Sequence, residues 1–363
     1  MNLRIGAFGR QEAMSAVWIC AFASGCFAFD NRALFWDGNA SYPEHALAAA
    51  LAALLFVCAV SAIRKRGGRD LSALIGASKG KAGIAALLIL SLLLSAIQPQ
   101  QQFLLTLTQY VFVDAKQVSI CFYLLPCITL LSALGAETLV RTARMLLPLL
   151  CLSVLAALAL NCGQARLSRL YPVPIGKPVK LLTDTATALH RAFSPLLALL
   201  CIGEGTQNVR TLKSAGTLGA LFGAATVVAM LFGLSCCFSY GMLSEMPAPF
   251  YRMLVEARTE NPTLRFDRVT LFLWMACSLL ASAIYVYAAG VLFCKTFGVR
   301  DIRPVACLFG AICAAAILAL YYDSEPTMRV LKLLYRFGWT AAVVPLPLLC
   351  MTGKERPLCG ACS

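Results

Sequence analysis

The sequence predicts an all-α integral membrane protein of about ten transmembrane helices, on three observations. The 363-residue chain is 60% hydrophobic, with a mean hydropathy of +0.77. Only 13% of its residues are charged, about half the share in a soluble domain. Apolar runs of spanning length recur near 12–30, 44–63, 82–105, 117–136, 144–162, 186–208, 214–239, 270–293, 304–321 and 331–351. They leave almost nothing for a soluble domain, so residues 1–363 read as one polytopic membrane unit.

Two interrupted runs set the expected architecture. The run 186–209 carries His190 and Arg191 near its start, Pro195 inside it and Gly203-Glu204-Gly205 near its end. The run 13–30 is interrupted by Ser24-Gly25. Irregular backbone at membrane depth survives only where protein or a water-filled cavity surrounds it. In secondary transporters, broken helices at corresponding places in two halves of a chain mark the substrate site. The expected fold is therefore a five-plus-five inverted-repeat (LeuT-like) transporter, with repeats near 12–162 and 186–351 and broken first and sixth helices.

The formal net charge of +14 is scattered over short loops rather than gathered on one face, which argues against nucleic acid as a partner. The densest basic cluster, Arg64, Lys65, Arg66, Arg69, Lys79 and Lys81, places its loop in the cytoplasm by the positive-inside rule. An even number of spans then puts both termini there. Most of the 17 cysteines, among them Cys20, Cys58, Cys121, Cys151, Cys201, Cys277 and Cys313, lie inside apolar runs, where cysteine acts as a small hydrophobe. The pair Cys359 and Cys362 is a lone C-x-x-C with no second pair and no histidine nearby, so no metal or redox site is assigned to it.

The basic start and apolar run of the N-terminus, with Ala23-Ser24-Gly25-Cys26, approach a lipoprotein signal that lacks its leucine; a retained first span is expected. Asn39-Ala40-Ser41 is a glycosylation sequon by pattern only. Gly76 to Lys81 is one residue short of a phosphate loop and is followed by Ala82 where a hydroxyl is needed, so it reads as a basic connector. Gln98, Gln100, Gln101 and Gln102, with Gln109 after them, either line a vestibule or sit at headgroup level, and such amides also serve as interhelical hydrogen-bonding groups. Glu137 and Arg141 stand four apart in the connector before the fifth span and can pair on one helix face, as a structural link or a gate.

Prolines 172, 174 and 178 shape the stretch 164–184 into a loop over the sixth span, and a second long loop covers 240–268. Tyr285 and Tyr287 are two apart, so at most one faces a central cavity. Glu204 and Thr206 are the candidates for ion coupling. Tyr321, Tyr322 and Trp339 read as interfacial anchors. The two histidines, His45 and His190, belong to no H-E-x-x-H motif and no G-x-S-x-G is present, so no catalytic site, metal or cofactor is expected.

The order of these features resembles the spore germinant-receptor B-subunit family, the endospore germination permeases of the amino acid–polyamine–organocation superfamily. The matching pieces are Gly135, Glu137 and Arg141 after the fourth span, Leu170, Tyr171, Pro172 and Gly176 before the sixth, and Arg265 to Arg268 leading into Trp274 of the eighth. The resemblance implies a subunit of the cell membrane or inner spore membrane that binds a small germinant, commonly an amino acid, between the first and sixth spans. It also implies a germinant-receptor A subunit and a lipoprotein C subunit as partners. Carried over by position, the binding residues are Ser24, Gly25, Phe193, Ser194 and Pro195; Tyr285 of the eighth span joins them as a candidate from its own position on that span. Family members often place an acid shortly after the break in the sixth span, whereas here Leu196 and Leu197 follow Pro195 and the acid comes at Glu204. The alternative reading is a proton- or sodium-coupled amino acid permease of the same fold.

Overall fold

Nine long helices account for most of the described chain in a computed structural model, which describes residues 6–27, 41–76, 80–113, 116–171, 178–246, 248–256 and 266–322. They are α1 (Arg10–Cys26), α2 (Ser41–Lys65), α3 (Lys81–Thr106), α4 (Gln117–Ala133), α5 (Ala136–Asn161), α6 (Pro178–Ile202), α7 (Val209–Cys237), α8 (Phe266–Phe297) and α9 (Ile302–Tyr322). Six segments are long and apolar enough to cross a membrane by length and composition. These lie on α2, α3, α5, α7, α8 and α9. The chain is a multi-pass membrane protein. The expected tenth span at 331–351, Asn39 and Ala40 of the sequon and the Cys359/Cys362 tail lie outside the described residues.

Burial sorts the helices into centre and rim. Two-thirds (67%) of the apolar window is buried on α3 and on α8, against 28% on α5 and 33% on α9. The exposed faces of the rim are apolar, with Met145, Leu152 and Leu155 on α5 and Leu308 and Ile312 on α9 open at the surface. A helix surrounded by lipid presents such a face. Within the bundle, α1 packs on α5, α6, α7 and α8; α2 lies on α6 and α7; α3 lies on α8; and α4 lies on α8 and α9.

Small residues on α7 let α1 and α2 approach closely. A Cβ built on Gly219 would stand 2.8 Å from both the Met14 carbonyl oxygen and Val17 Cβ, and one on Gly216 would meet the Phe56 ring at 2.2 Å. Without a hydrophobic drive between helices in lipid, such close contact is the main source of association. Gly219→Leu is expected to cost about 2 kcal/mol or more by overpacking. A lowered thermal midpoint of the detergent-solubilised protein checks this.

The interrupted runs fold differently from the expectation. Helix α1 is continuous through Ser24-Gly25 and leaves helical geometry only at Phe27, whose φ is −109° and ψ 67°. Gly25 serves packing: a Cβ there would meet both methyl groups of Val227 on α7 at 2.7 Å. Helix α6 runs unbroken through Pro195 to Ile202 and then closes in a 3-10 turn, Gly203–Gly205. Proline removes the N–H that would bond the carbonyl four residues back. The Ser194 hydroxyl donates to that Arg191 carbonyl at 3.4 Å, which lets the helix continue.

Other boundaries also move. Helix α6 already starts at Pro178, where a proline's missing N–H costs nothing at a first helical position, so part of the expected loop is helical. Glu137 and Arg141 lie in the first turns of α5 rather than in a connector. The stretch 240–256 contains two short helices, Tyr240–Glu245 and Pro249–Glu256, the second burying Phe250, Met253 and Leu254.

Candidate ligand site at the centre of the bundle

Ser24, Ser194 and Tyr285 come from α1, α6 and α8 and meet in the middle of the bundle. Each is at most 1% exposed. Tyr285 donates its hydroxyl proton to the Cys20 carbonyl at 3.3 Å. The 2.6 Å contact between Ser24 Oγ and the Tyr285 oxygen therefore has the serine as donor. Ser194 Oγ lies 3.4 Å from the same phenolic oxygen. Ser24, Tyr285 and the Cys20 carbonyl form one bonded node, the Ser194 hydroxyl, which donates to Arg191, lies in contact with it, and each hydroxyl can turn to a polar ligand. Phe193 and Pro195 flank Ser194 and are buried, while Gly25 faces α7 as described above. Tyr287 does not join the node; it lines a separate cavity of about 300 Å³ with Arg300, Asp301 and Arg303.

Further polar groups surround this node. The glutamines of α3 lie inside the bundle rather than at headgroup level, and Gln100 is an interhelical hydrogen-bonding group: Gln98, Gln100, Gln101 and Gln102 are all at most 6% exposed. Gln100 Nε2 donates to Ser278 and Ser282 of α8, both at 3.0 Å, and Ser282 donates to the Ala96 carbonyl at 2.8 Å. Their partners stand nearly two hundred positions away, so no local pattern announces them. His190 on α6 is fully buried against Ser91 and Ser95 of α3.

The node is covered at both ends. Towards the far end, where α1 finishes, Phe27 meets Phe103 at a 58° tilt with ring centroids 4.4 Å apart, and Phe22 and Trp274 meet edge-on at 5.6 Å. Phe250 from the helix Pro249–Glu256 closes on Phe27. Trp274 is held by a bond from its indole N–H to Ser153 Oγ, 2.9 Å long. These aromatics leave a void of only about 10 Å³, lined in part by Gln102 and Thr106. That is room for about one water.

At the near end, where α1 starts, polar groups replace the aromatics. Lys295 at the end of α8 pairs with both Asp70, in the loop after α2, and Glu204, in the turn after α6. Ser72 donates to the Asp70 carboxylate at 2.8 Å, and the Leu71 N–H bonds the Leu200 carbonyl at 3.0 Å. The Phe8 N–H bonds the Gly205 carbonyl at 3.0 Å. Gly205 admits that strand only because it lacks a Cβ, which would meet the Phe8 ring at 2.2 Å. Across the same segment, Arg141 pairs with Glu137 at 2.6 Å and with Glu12 of α1 at 3.7 Å. Glu204 is thus placed in an ion triad at the bundle's end, and Thr206 caps the turn by donating to the Gly203 carbonyl at 2.7 Å.

The pattern of the Spore_permease family, described as spore germination protein, matches residues 46–328. The chain belongs to that family. This permease shares its fold with solved transporters at low identity. A substrate-bound, outward-open Na⁺-coupled sialic acid symporter aligns with a TM-score of 0.69 at 13% identity, over 96% of this chain and 80% of that one. MHP1, a nucleobase-cation-symport-1 family transporter in a closed conformation with bromovinylhydantoin bound, gives 0.68 at 12% identity over the same shares. A manganese transporter from Eremococcus coleocola, in complex with an aromatic bis-isothiourea substituted compound, gives 0.55 at 16% identity, over 94% of this chain and 77% of that one. Among curated proteins, nothing matches. The permease is accordingly a membrane protein with the LeuT-like transporter fold.

Proposed function

We propose that this permease is the membrane subunit of a spore germinant receptor, and that it binds a small amino acid at Ser24, Ser194 and Tyr285. The observation that carries the reading is the meeting of these three hydroxyls, fully buried, between an aromatic cover and an ionic clamp. A buried node of exchangeable hydroxyls suits the ammonium and carboxylate of a zwitterion, and the apolar surroundings from Leu196 to Leu200 suit a small or apolar side chain. The node lies between α1 and α6, at the place where the family resemblance puts the germinant.

The helix pairing supports reading the chain as two repeats, near 12–162 and 186–351. Exchanging α1 with α6 and α2 with α7 turns the α1–α7 contact into the α6–α2 contact; exchanging α3 with α8 and α4 with α9 turns α4–α8 into α9–α3. All four contacts are present. In this reading the near end, which carries Arg64, Lys65 and Arg66, is cytoplasmic, both termini lie there, and the chain works in the inner spore membrane with an A subunit and a lipoprotein C subunit. The Na⁺ coupling of the sialic acid symporter keeps a coupled amino acid permease as the second reading.

Deletion of the gene in the spore-former that carries it, followed by complementation, tests the proposal. Loss of the spores' response to one amino acid, restored by the wild-type gene but not by a Ser24→Ala, Ser194→Ala double variant, is the expected result. Spores that respond to every amino acid without the gene would overturn it.

A further inference from the structure

We infer that His190 is a proton-binding site, reached from the far end of the bundle along a polar stripe on α3. The site begins with the two serines. Ser95 already donates its hydroxyl proton to the Ser91 carbonyl at 2.9 Å. Towards His190 Nε2, 3.2 Å away, Ser95 Oγ can then only accept, so Nε2 carries the hydrogen. This leaves Nδ1 as the basic nitrogen, 3.4 Å from Ser91 Oγ. An arriving proton bonds to Nδ1, and the Ser91 hydroxyl turns from donor to acceptor. No heavy atom has to move for the imidazolium to keep a partner on each nitrogen. An ionisable side chain at the middle of a membrane helix is expensive and, by default, functional.

The second observation is the stripe itself. Ser91, Ser95, Gln98, Gln102 and Thr106 are spaced 4, 3, 4 and 4 apart, so they share one face of α3 as neighbouring side chains. All five are buried, at 0, 1, 0, 6 and 5% exposure. At a rise of about 1.5 Å per residue the row is about 22 Å long. Its far end, Gln102 and Thr106, lines the water-sized void under Phe27 and Trp274. Its inner end is the pair of serines on His190. A continuous buried row of hydroxyls and amides carries protons when water joins its members.

The charged and titratable groups at this depth on the helices around α6 are few. Arg191 follows His190 on α6 and acts on both His190 and His45 of α2, next to Glu44. Helix α1 contributes Cys20 and Cys26, and α8 contributes Tyr285. The middle of α7, from Gly216 to Met230, has no titratable residue, and α3 offers only the stripe. His190 is thereby the buried imidazole at this depth with both ring nitrogens already partnered.

Charge displacement on a rapid pH jump tests this, with the full-length protein in proteoliposomes on a solid-supported membrane and no amino acid present. The proton is the probe, so the outcome is independent of whether the amino acid reading holds. A transient current is expected for the wild type and for His45→Gln. It should fall to the level of empty liposomes in His190→Gln. The Ser91→Ala, Ser95→Ala double variant, which keeps the imidazole, should show a smaller current, and Gln98→Leu a slower one. A His190→Gln current equal to the wild type, or a wild-type current no larger than that of empty liposomes, would overturn the inference.

Discussion

Tyr285→Phe is expected to weaken amino acid binding roughly tenfold or more while the protein stays folded in the membrane. The change removes one oxygen and leaves the ring, which is fully buried, in place. Ser24 Oγ loses its 2.6 Å partner and the Cys20 carbonyl loses its donor, while Ser194 keeps its bond to the Arg191 carbonyl. Buried polar groups left without partners cost about 1–3 kcal/mol, and in a binding site that cost falls on the ligand the node was arranged to receive. Equilibrium binding of labelled amino acids to the reconstituted variant, with its thermal midpoint as the folding control, measures this. Unchanged affinity would move the ligand away from the node.

Lys295→Met is expected to open the near end. Lys295 is the shared cation of Asp70 and Glu204, and removing it leaves the 9%-exposed Asp70 carboxylate facing Glu204 with the Ser72 hydroxyl still donating to it. Breaking a buried pair by removing one partner costs about 3 kcal/mol. Glu204 is 41% exposed, so solvent screens its share and most of the cost falls on Asp70. The expected readout is thiol labelling of a Thr206→Cys reporter, slow in the wild-type background because the site is 3% exposed and fast with Lys295→Met. Adding Asp70→Asn and Glu204→Gln should restore slow labelling. Labelling that stays slow in the single variant would mean that the Phe8–Gly205 link and the Arg141 pairs close this end without the triad.

Much of the architecture was legible because lipid imposes a simple rule on composition. Runs of spanning length marked α2 to α9 to within a few residues, except where α5 and α6 start earlier than their apolar runs. Those starts are amphiphilic, with Glu137 and Arg141 on α5 and Pro178 to Asp184 on α6, and hydropathy alone reads them as loop. The interruptions were harder to interpret. A glycine that lets a helix unwind and a glycine that lets two helices touch leave the same mark, and at Gly25 it is the methyl groups of Val227 that decide for contact. Pro195 reads as a break until Ser194 is seen covering the Arg191 carbonyl.

The candidate site was half legible. Ser24, Ser194 and Tyr285 were each expected at a ligand, and the structure brings them together. Phe193 and Pro195 only flank them. Asp70, Lys295, Ser91 and Ser95 had no local signal, since their meaning comes from partners tens to hundreds of positions away. The periodic spacing of the α3 stripe was present in the sequence, but its direction towards His190 requires the fold.

The most direct test of the central claim is binding and uptake of labelled amino acids by the purified permease in proteoliposomes, with and without an imposed proton or sodium gradient. A sensing subunit with its ligand at Ser24, Ser194 and Tyr285 gives saturable binding of a small amino acid, lost in Tyr285→Phe, with no accumulation under either gradient. Gradient-driven accumulation would make it a coupled transporter instead, and contradict the account.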